Sequence, residues 1–319
     1  MEKIKIGSAG PLIGKLGLGC MRMSPVWNNP GKSEKESIAA IHYALDHGVQ
    51  FLNTGDFYGA GHNELLVGKA IKDRRDQAFI SVKFGAVFDG ALLGFDLRPT
   101  SIRNFINYSL VRLGVDYIDL YQPCRIDDQH LLEDIVGTIQ DLIHAGKVRH
   151  LGLSEITPQQ LKQAHAIQPV AALEYGYSLA NRQLEKELLP LAEKLGITVV
   201  AFAITAEGLL TGQLKAPLDQ DDHRNRFSCF QGENLKHNLE KVALLAEMAA
   251  GKNCTVAQLA IGWVNAQRQN IMPLISMNTP QRIRETLQAM DIQFTQDEMT
   301  LLNKEFNAGT IWGATYLQR

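Results

Sequence analysis

The stretch SEKESIAAIHYALDHGVQFLNT, residues 33–54, joins the two patterns that decide the fold. Its first part places apolar residues at helical spacing and reaches Gly48, where a helix would stop. Its last six residues, VQFLNT, form a short apolar run typical of a buried strand. The stretch therefore predicts one amphipathic helix followed by one buried strand.

The same alternation continues along the chain. Short β-rich runs are separated by longer amphipathic segments, which predicts eight strands and eight helices. Strictly alternating strands and helices imply parallel strands, because a right-handed crossover helix returns the chain to the same edge of the sheet. Eight such units in 319 residues predict an α/β fold, a closed (β/α)8 TIM barrel. The predicted strands are residues 15–20, 49–54, 78–85, 116–122, 149–154, 170–175, 197–204 and 271–276.

Three further features refine this architecture. A doubly wound open sheet is disfavoured because GLGCMR, which starts at Gly17, has Arg22 where a GxGxxG motif needs its third glycine. The segments KIKIG and PLIG predict an N-terminal β-hairpin at the bottom of the barrel. Residues 215–238 are polar and predict a long loop after strand 7. Since no linker or repeat divides the chain, residues 1–319 are expected to form a single domain.

The composition limits the class of protein. The chain has 45% hydrophobic and 21% charged residues and a formal net charge of -2, as soluble globular proteins do. It has no run of 18 apolar residues, and its N-terminus lacks the apolar core of a signal peptide, so we expect a cytoplasmic protein without a membrane partner. Four scattered cysteines indicate reduced thiols and no metal site. The charge balance argues against nucleic acid, and a small-molecule partner and a monomer or weak oligomer are expected.

Tyr58 and Lys83 form a candidate general acid. Both lie near the carboxyl ends of predicted strands, which meet at one end of a barrel. A cation about 4 Å from a tyrosine, at an effective dielectric constant near 20, is worth about 4 kcal/mol. This interaction would lower the tyrosine pKa by roughly three units. The alternative is that Lys83 extends toward solvent and Tyr58 only packs.

The motifs follow one another in a recognisable order and spacing. They are LGLGCMRMS, NTGDFYGAGHNELLVGKAI, VKFG, LVRLGVDYIDLYQ, AGKVRHLGLSE, EGLLTG and QRIRETL. Over nearly its whole length the chain resembles an aldo-keto reductase, and it is similar to bacterial members with a YQP or YRP strand 4 end. The resemblance implies a (β/α)8 barrel, NADPH as cofactor, and hydride transfer to a small-molecule aldehyde or ketone.

The family's active site is an Asp, Tyr, Lys and His set, and half of it is altered here. The resemblance implies that Tyr58 is the proton donor and that Lys83 is its electrostatic partner. Asn53 takes the place of the aspartate and supplies no counter-charge to a buried lysine. Asp56, three residues later, is a weaker candidate for that carboxylate. Cys124 takes the place of the histidine and is better explained as a small apolar filler than as an activated thiolate.

The resemblance also implies cofactor and substrate contacts. Arg282 matches an arginine that grips the 2'-phosphate, in a helix that opens near Pro280. Phe202 takes the place of a tyrosine that stacks on nicotinamide. The substrate residues are Arg22, Trp27 and Phe88. The cofactor-binding residues are Gly19, Cys20, Met21, Ser154, Glu155, Glu174, Phe202, Ala203, Ser276, Asn278, Arg282, Glu285 and Thr286.

Two functions remain open at this point. The first is an NADPH-dependent reductase of aldehydes or ketones with a modified active site, which the retention of Tyr58 and Lys83 favours. The second is a catalytically impaired nucleotide-binding or regulatory barrel, which the substitutions at residues 53, 124, 155, 174 and 286 favour. NADPH binding and turnover discriminate between them.

Overall fold

The computed structural model describes residues 1–25, 31–89, 91–214 and 216–315. The strands are β1 (Lys3–Lys5), β2 (Leu12–Gly14), β3 (Gly17–Gly19), β4 (Phe51–Gly55), β5 (Phe79–Phe84), β6 (Ala86–Asp89), β7 (Ala91–Phe95), β8 (Ile118–Pro123), β9 (Val148–Ser154), β10 (Val170–Gly176), β11 (Thr198–Phe202) and β12 (Ile271–Ser276). The α-helices are α1 (Glu34–Asp46), α2 (His62–Ile71), α3 (Pro99–Leu113), α4 (Leu132–His144), α5 (Pro158–Ile167), α6 (Leu188–Lys194), α7 (Gly232–Gly251), α8 (Val256–Gln267), α9 (Pro280–Ala289) and α10 (Gln296–Glu305).

Eight of the strands close into a barrel, as predicted. Their order around the barrel is β3, β4, β5, β8, β9, β10, β11 and β12, and every neighbouring pair is parallel. All eight correspond to the predicted apolar runs. Strands covered on both faces are apolar throughout, which is why the runs mark them so clearly.

The first two strands form the predicted N-terminal hairpin. β1 and β2 pair antiparallel. Ile4 and Ile13 from the hairpin share a buried apolar cluster with Phe51, Phe79 and Leu120 from the barrel strands. The hairpin therefore closes the bottom of the barrel, which leaves the opposite end for chemistry.

Helix α1 forms for the reason that its sequence suggests. The Ser33 side chain accepts a hydrogen bond from the backbone N–H of Glu36, while the Glu36 carboxylate accepts one from the backbone N–H of Ser33. Gly48, with φ +80°, turns the chain toward β4 after the helix ends. Helix and strand thus follow each other in the predicted order.

Two details differ from the prediction. The described residues contain ten α-helices rather than eight, and the long segment after β11 ends sooner than expected, because α7 begins at Gly232 rather than after residue 238. The start of α7 reads as polar, but Leu235 and Asn238 are buried and hold it against the protein. A second hairpin, β6 with β7, follows β5 and was not predicted. No helix in the described part of the chain is both long and apolar enough to span a membrane.

Candidate active site

Tyr58 lies immediately beyond the carboxyl end of β4. A short 3-10 turn, Tyr58–Gly61, carries it, and the left-handed backbone of Gly59 and Ala60 bends the chain back toward the barrel. The side chain is buried, and its ring lies edge-on to Phe57 at a centroid distance of 4.7 Å. The predicted proton donor is therefore held at the barrel mouth in one orientation.

Lys83, near the end of β5, reaches the same mouth. Its ammonium Nζ lies 5.4 Å from the centroid of the Tyr58 ring. Nζ donates one hydrogen bond to Oδ1 of Asn53 at 2.5 Å and another to Oε1 of Glu174 at 2.8 Å. All four side chains are buried. The structure therefore brings the predicted Tyr58 and Lys83 together, and the alternative in which Lys83 extends to solvent is wrong.

The counter-charge that Asn53 lacks comes from Glu174. This residue lies on β10, which is four strands away from β4 in either direction around the barrel, so its side chain reaches across the interior. Asp56 does not fill this role. The expectation that Lys83 lacks a carboxylate is therefore corrected, and Glu174, predicted as a cofactor contact, has both of its oxygens in the Lys83 network.

Two more side chains complete the network. Nε2 of Gln122 donates to Oε2 of Glu174 at 2.6 Å and to Oγ of Ser81 at 3.2 Å. Gln122 is the register partner of Lys83, and Ser81 that of Asn53. A Cβ on Gly152 would lie 2.9 Å from Oε1 of Gln122, so only glycine leaves this amide enough room. The sequence alone assigned no role to Gln122 or Ser81, although both lie on predicted strands.

The pKa values of the pair depend on burial and charge together. Burial by itself lowers the pKa of Lys83, but the adjacent Glu174 carboxylate and Tyr58 raise it above its ordinary value, so the ammonium is kept charged. Burial raises the pKa of Tyr58 to about 12, while Lys83 lowers it by a smaller amount and Glu174 partly cancels that field. The expected lowering of the Tyr58 pKa by Lys83 is thus present but is outweighed by burial.

Cys124 follows β8 and faces the same region. Its backbone N–H donates to the carbonyl of Phe84 at 2.8 Å. Burial raises the pKa of its thiol to about 12, although Lys83 and Arg125 oppose this. The residue is thus a neutral thiol at ordinary pH, in agreement with its interpretation as a filler rather than a nucleophile.

Asp56 links the Tyr58 segment to the strand of Lys83. Its backbone N–H donates to the carbonyl of Lys83 at 2.9 Å, and its Oδ2 accepts from the backbone N–H of Gly85 at 3.4 Å. Burial and the nearby Glu64 carboxylate raise the pKa of Asp56 to about 8, and Arg112 only partly offsets this. In the folded protein at neutral pH, the Asp56 side chain is therefore mainly protonated.

This raised pKa predicts a specific pH dependence of stability. Because the folded state holds a proton on Asp56 that the unfolded state has lost, the contribution of Asp56 is present at low pH and disappears as pH rises from about 4 to about 8. We expect the free energy of unfolding to fall by roughly 1 kcal/mol per pH unit from this group. Asp56→Asn, which cannot ionise, should lack this slope in urea denaturation at pH 5, 6 and 7. The exposed control Asp116→Asn should keep it, and equal slopes in both variants would contradict the assignment.

The predicted cofactor residues lie near the carboxyl ends of β3, β9, β10, β11 and β12 and on α9. Gly19, Asn53 and Ser276 are in register across β4, β3 and β12, and Ser154 is in register with Glu174. Cys20, Ser154 and Thr286 are buried, Ser276, Arg282 and Glu285 are exposed, and Met21, Phe202, Ala203 and Asn278 are between these extremes.

The side chain of Glu155 is anchored to β10. The residue has a left-handed backbone, with φ 51°, and its Oε1 accepts from the backbone N–H of Gly176 at 2.8 Å. One oxygen of the Glu155 carboxylate thus already accepts a hydrogen bond from the backbone. Ala203, at the end of β11, is also left-handed, with φ 54°. These two positions turn the chain sharply at the rim of the mouth.

Helix α9 opens as predicted at Pro280. The Thr279 side chain accepts from the backbone N–H of Arg282 at 3.3 Å and caps the helix. The guanidinium of Arg282 is exposed on the first turn and makes no hydrogen bond or ion pair within the described part of the chain. An arginine on the first turn of a helix, where the helix dipole is positive, is well placed to receive an anion.

The predicted substrate residues are only partly brought together. The Phe88 ring stacks on Phe57 at 5.5 Å, next to Tyr58. Arg22 instead forms an ion pair with Glu207 at 3.3 Å, which ties the segment after β3 to the one after β11. Trp27 lies outside the described residues.

Comparison with known proteins gives a consistent result. A model described as "Aldo/keto reductase family" matches residues 15–305. The chain is 32% identical over 319 residues to "Probable aldo-keto reductase 1" from Glycine max, and the match covers 99% of this chain and 92% of that protein.

Solved structures with a similar fold were also found. The glycerol dehydrogenase AKR11B4 from Gluconobacter oxydans is 27% identical, with coverage of 95% of this chain and 94% of that one and a TM-score of 0.86. An aldo-keto reductase from Klebsiella pneumoniae, solved in complex with NADPH, is 23% identical, with coverage of 96% and 95% and a TM-score of 0.75. Since the family model spans most of the sequence and the fold and the Tyr58–Lys83 pair agree with it, the chain belongs to the aldo-keto reductase family.

Proposed function

We propose that this chain is a cytoplasmic, NADPH-dependent oxidoreductase that reduces aldehydes or ketones to alcohols with Tyr58 as the proton donor. The observation that carries the proposal is the buried Lys83 ammonium, which is neutralised by Glu174 and lies 5.4 Å from the Tyr58 ring. An ammonium that a buried carboxylate keeps protonated, and that lies beside a buried phenol, can stabilise a phenolate that forms during a reaction.

The residues at the mouth fit NADPH, the cofactor that aldo-keto reductases use. The exposed Arg282 guanidinium on the first turn of α9 suits a phosphate, which it can grip through several N–H groups at once. The ring of Phe202, which is partly exposed at the end of β11, is of a type that can stack on nicotinamide. Ser154, Ser276 and Asn278 supply small polar groups between these two ends.

The chemistry assigned to the chain's own residues is proton transfer and charge stabilisation. When bound, NADPH supplies the hydride that attacks the carbonyl carbon. Because its pKa is about 12, Tyr58 holds its proton at neutral pH and can donate it to the carbonyl oxygen. Lys83 stabilises the phenolate that this donation leaves. Cys124 offers only a weakly donating thiol where the family has an imidazole, so we assign the main hydrogen bond to the carbonyl oxygen to Tyr58.

Asn53 is one of the five substitutions that favour the impaired-barrel alternative. Its premise was that a buried Lys83 without a carboxylate would lose its charge. Glu174 supplies the missing charge at 2.8 Å, so this argument for lost catalysis no longer holds. The substitution of histidine by Cys124 remains its strongest support.

Cofactor binding and turnover test the proposal together. We expect titration with NADPH to quench the protein's tryptophan fluorescence, and consumption of NADPH to follow when an aldehyde or a 1,2-diketone is added. Arg282→Gln should weaken NADPH binding by about 10-fold or more and change NADH binding little, because only NADPH carries the 2'-phosphate.

A matched control lies on the same helix. Arg284 is also exposed, but its guanidinium lies 3.5 Å from the hydroxyl of Tyr43. Arg284→Gln should bind NADPH as the wild type does. Absence of NADPH binding would exclude the proposed function, and binding without turnover on any carbonyl would favour the impaired barrel instead.

A further inference from the structure

The carboxylate of Glu174 is fully engaged inside the barrel. Oε1 accepts from Lys83 at 2.8 Å, and Oε2 accepts from Asn53 at 2.7 Å and from Gln122 at 2.6 Å. The residue is 4% exposed, so water contributes little. A carboxylate that accepts from three buried donors, one of them a lysine ammonium, is held in one position.

Asn53 fits between the two charges because an amide has one acceptor and one donor side. Its Oδ1 accepts from Lys83, and its Nδ2 donates to Glu174. An aspartate at this position would offer no donor, and two carboxylates would face each other at the distance now spanned by a hydrogen bond. The residue type at position 53 therefore depends on the residue type at position 174.

The reverse arrangement, Asn53→Asp together with Glu174→Gln, also satisfies the network. The lysine would then pair with the new aspartate, and the new glutamine amide would donate to that aspartate. Gln122 would have to turn its amide so that its oxygen faces the new glutamine. After the turn, Oε1, which is buried and now has no hydrogen-bond partner, would accept from the new glutamine and from the Ser81 hydroxyl. Nε2 would take over the unpartnered position, so the number of buried atoms without a partner would stay the same.

We propose that Glu174 is a positioning residue that holds Lys83 charged, and that positions 53 and 174 form an exchangeable pair in which one carboxylate can occupy either position but not both. As far as catalysis is concerned, the inference rests on the proposed function. Its electrostatic part concerns the unliganded protein and can be tested without any reaction.

The test compares the wild type with Glu174→Gln, Asn53→Asp and the double exchange Asn53→Asp/Glu174→Gln. Thermal unfolding of the unliganded proteins is followed from pH 6 to pH 10. Lys83 of the wild type has a raised pKa, so its contribution is fully present below the unfolded pKa of about 10.4 and is lost only above it. The wild type should therefore show no loss of Tm from Lys83 in this range.

Glu174→Gln removes the opposing charge, so burial should lower the Lys83 pKa below its unfolded value. The variant should then lose Tm as pH falls, and at pH 6.5 its Tm should lie about 5 °C or more below that of the wild type. Asn53→Asp should instead lose Tm more steeply than the wild type as pH rises from 6, because its second carboxylate must ionise beside the first, whereas the Asp56 effect is common to all these variants. The double exchange should recover most of the lost Tm and remove both pH dependences.

Activity gives a second readout. We expect kcat of Glu174→Gln for aldehyde reduction to fall by about 10-fold or more, with KM for the aldehyde changed much less, and the double exchange to return to within about fivefold of the wild type. The matched control is Asp119→Asn, which removes the carboxylate of a partly buried pair with Arg75 near the amino end of β8. It should lose Tm but keep kcat.

Each outcome decides the inference. It is overturned if Glu174→Gln keeps the wild-type pH profile of Tm, or if the double exchange is no better than the single variant. Should Glu174→Gln fail to fold, a folded double exchange supports the pair and an unfolded one overturns it. Failure of the proposed function would look different: the pH profiles would follow the expected pattern while no variant bound NADPH or reduced a carbonyl.

Discussion

Replacing Tyr58 by Phe is expected to lower kcat for aldehyde reduction by about 100-fold or more while leaving NADPH binding almost unchanged. The variant loses only the hydroxyl, and the ring keeps its contact with Phe57 at 4.7 Å. Without that hydroxyl, the thiol of Cys124 remains near Lys83, but a thiol is a weak hydrogen-bond donor and burial raises its pKa to about 12. Steady-state kinetics and NADPH fluorescence titration measure the two quantities separately.

Tyr121→Phe is the matched control. Tyr121 is a fully buried tyrosine on β8 whose ring stacks on Phe84 at 4.2 Å, and its hydroxyl has no hydrogen-bond partner in the described structure. Removing that hydroxyl should leave kcat unchanged and should not lower stability. Unchanged turnover in Tyr58→Phe would show that the proton comes from elsewhere.

Lys83→Met is expected to affect both activity and stability. Activity should fall by about 100-fold, because the phenolate that forms on Tyr58 loses its stabilising cation. Stability should fall by about 3–5 kcal/mol, because the Glu174 carboxylate is left buried without an opposing charge. Urea denaturation and kcat report the two effects.

The double variant Lys83→Met/Glu174→Gln separates these effects. Removing both charges should restore most of the lost stability, since no uncompensated ion remains, and should restore none of the lost activity. If Lys83→Met is as stable as the wild type, the Lys83–Glu174 contact does not hold two opposite charges, and the electrostatic account of the site is wrong.

Much of the fold could be predicted because its signals are local. The run at residues 170–175 became β10 (Val170–Gly176), and Pro280 became the first residue of α9, since a buried strand and a helix start each depend on neighbouring residues. The start of α7 was missed because its polar composition concealed Leu235 and Asn238, which are buried by contacts distant in the sequence. Local sequence patterns therefore predicted the strands and helices well and the long loops less well.

The active site, too, could be predicted from the sequence only in part. The sequence by itself determined the barrel, the order of its units and the convergence of Tyr58 and Lys83, because alternating patterns and strand ends place these residues at one mouth. Only the tertiary structure decided which carboxylate neutralises Lys83. Glu174 is 91 residues from Lys83 in sequence. It lies on β10, three strands away from the β5 of Lys83 around the barrel, so their contact depends on barrel closure and strand register. The pKa of Tyr58 likewise depends on burial from all sides, which no local pattern contains.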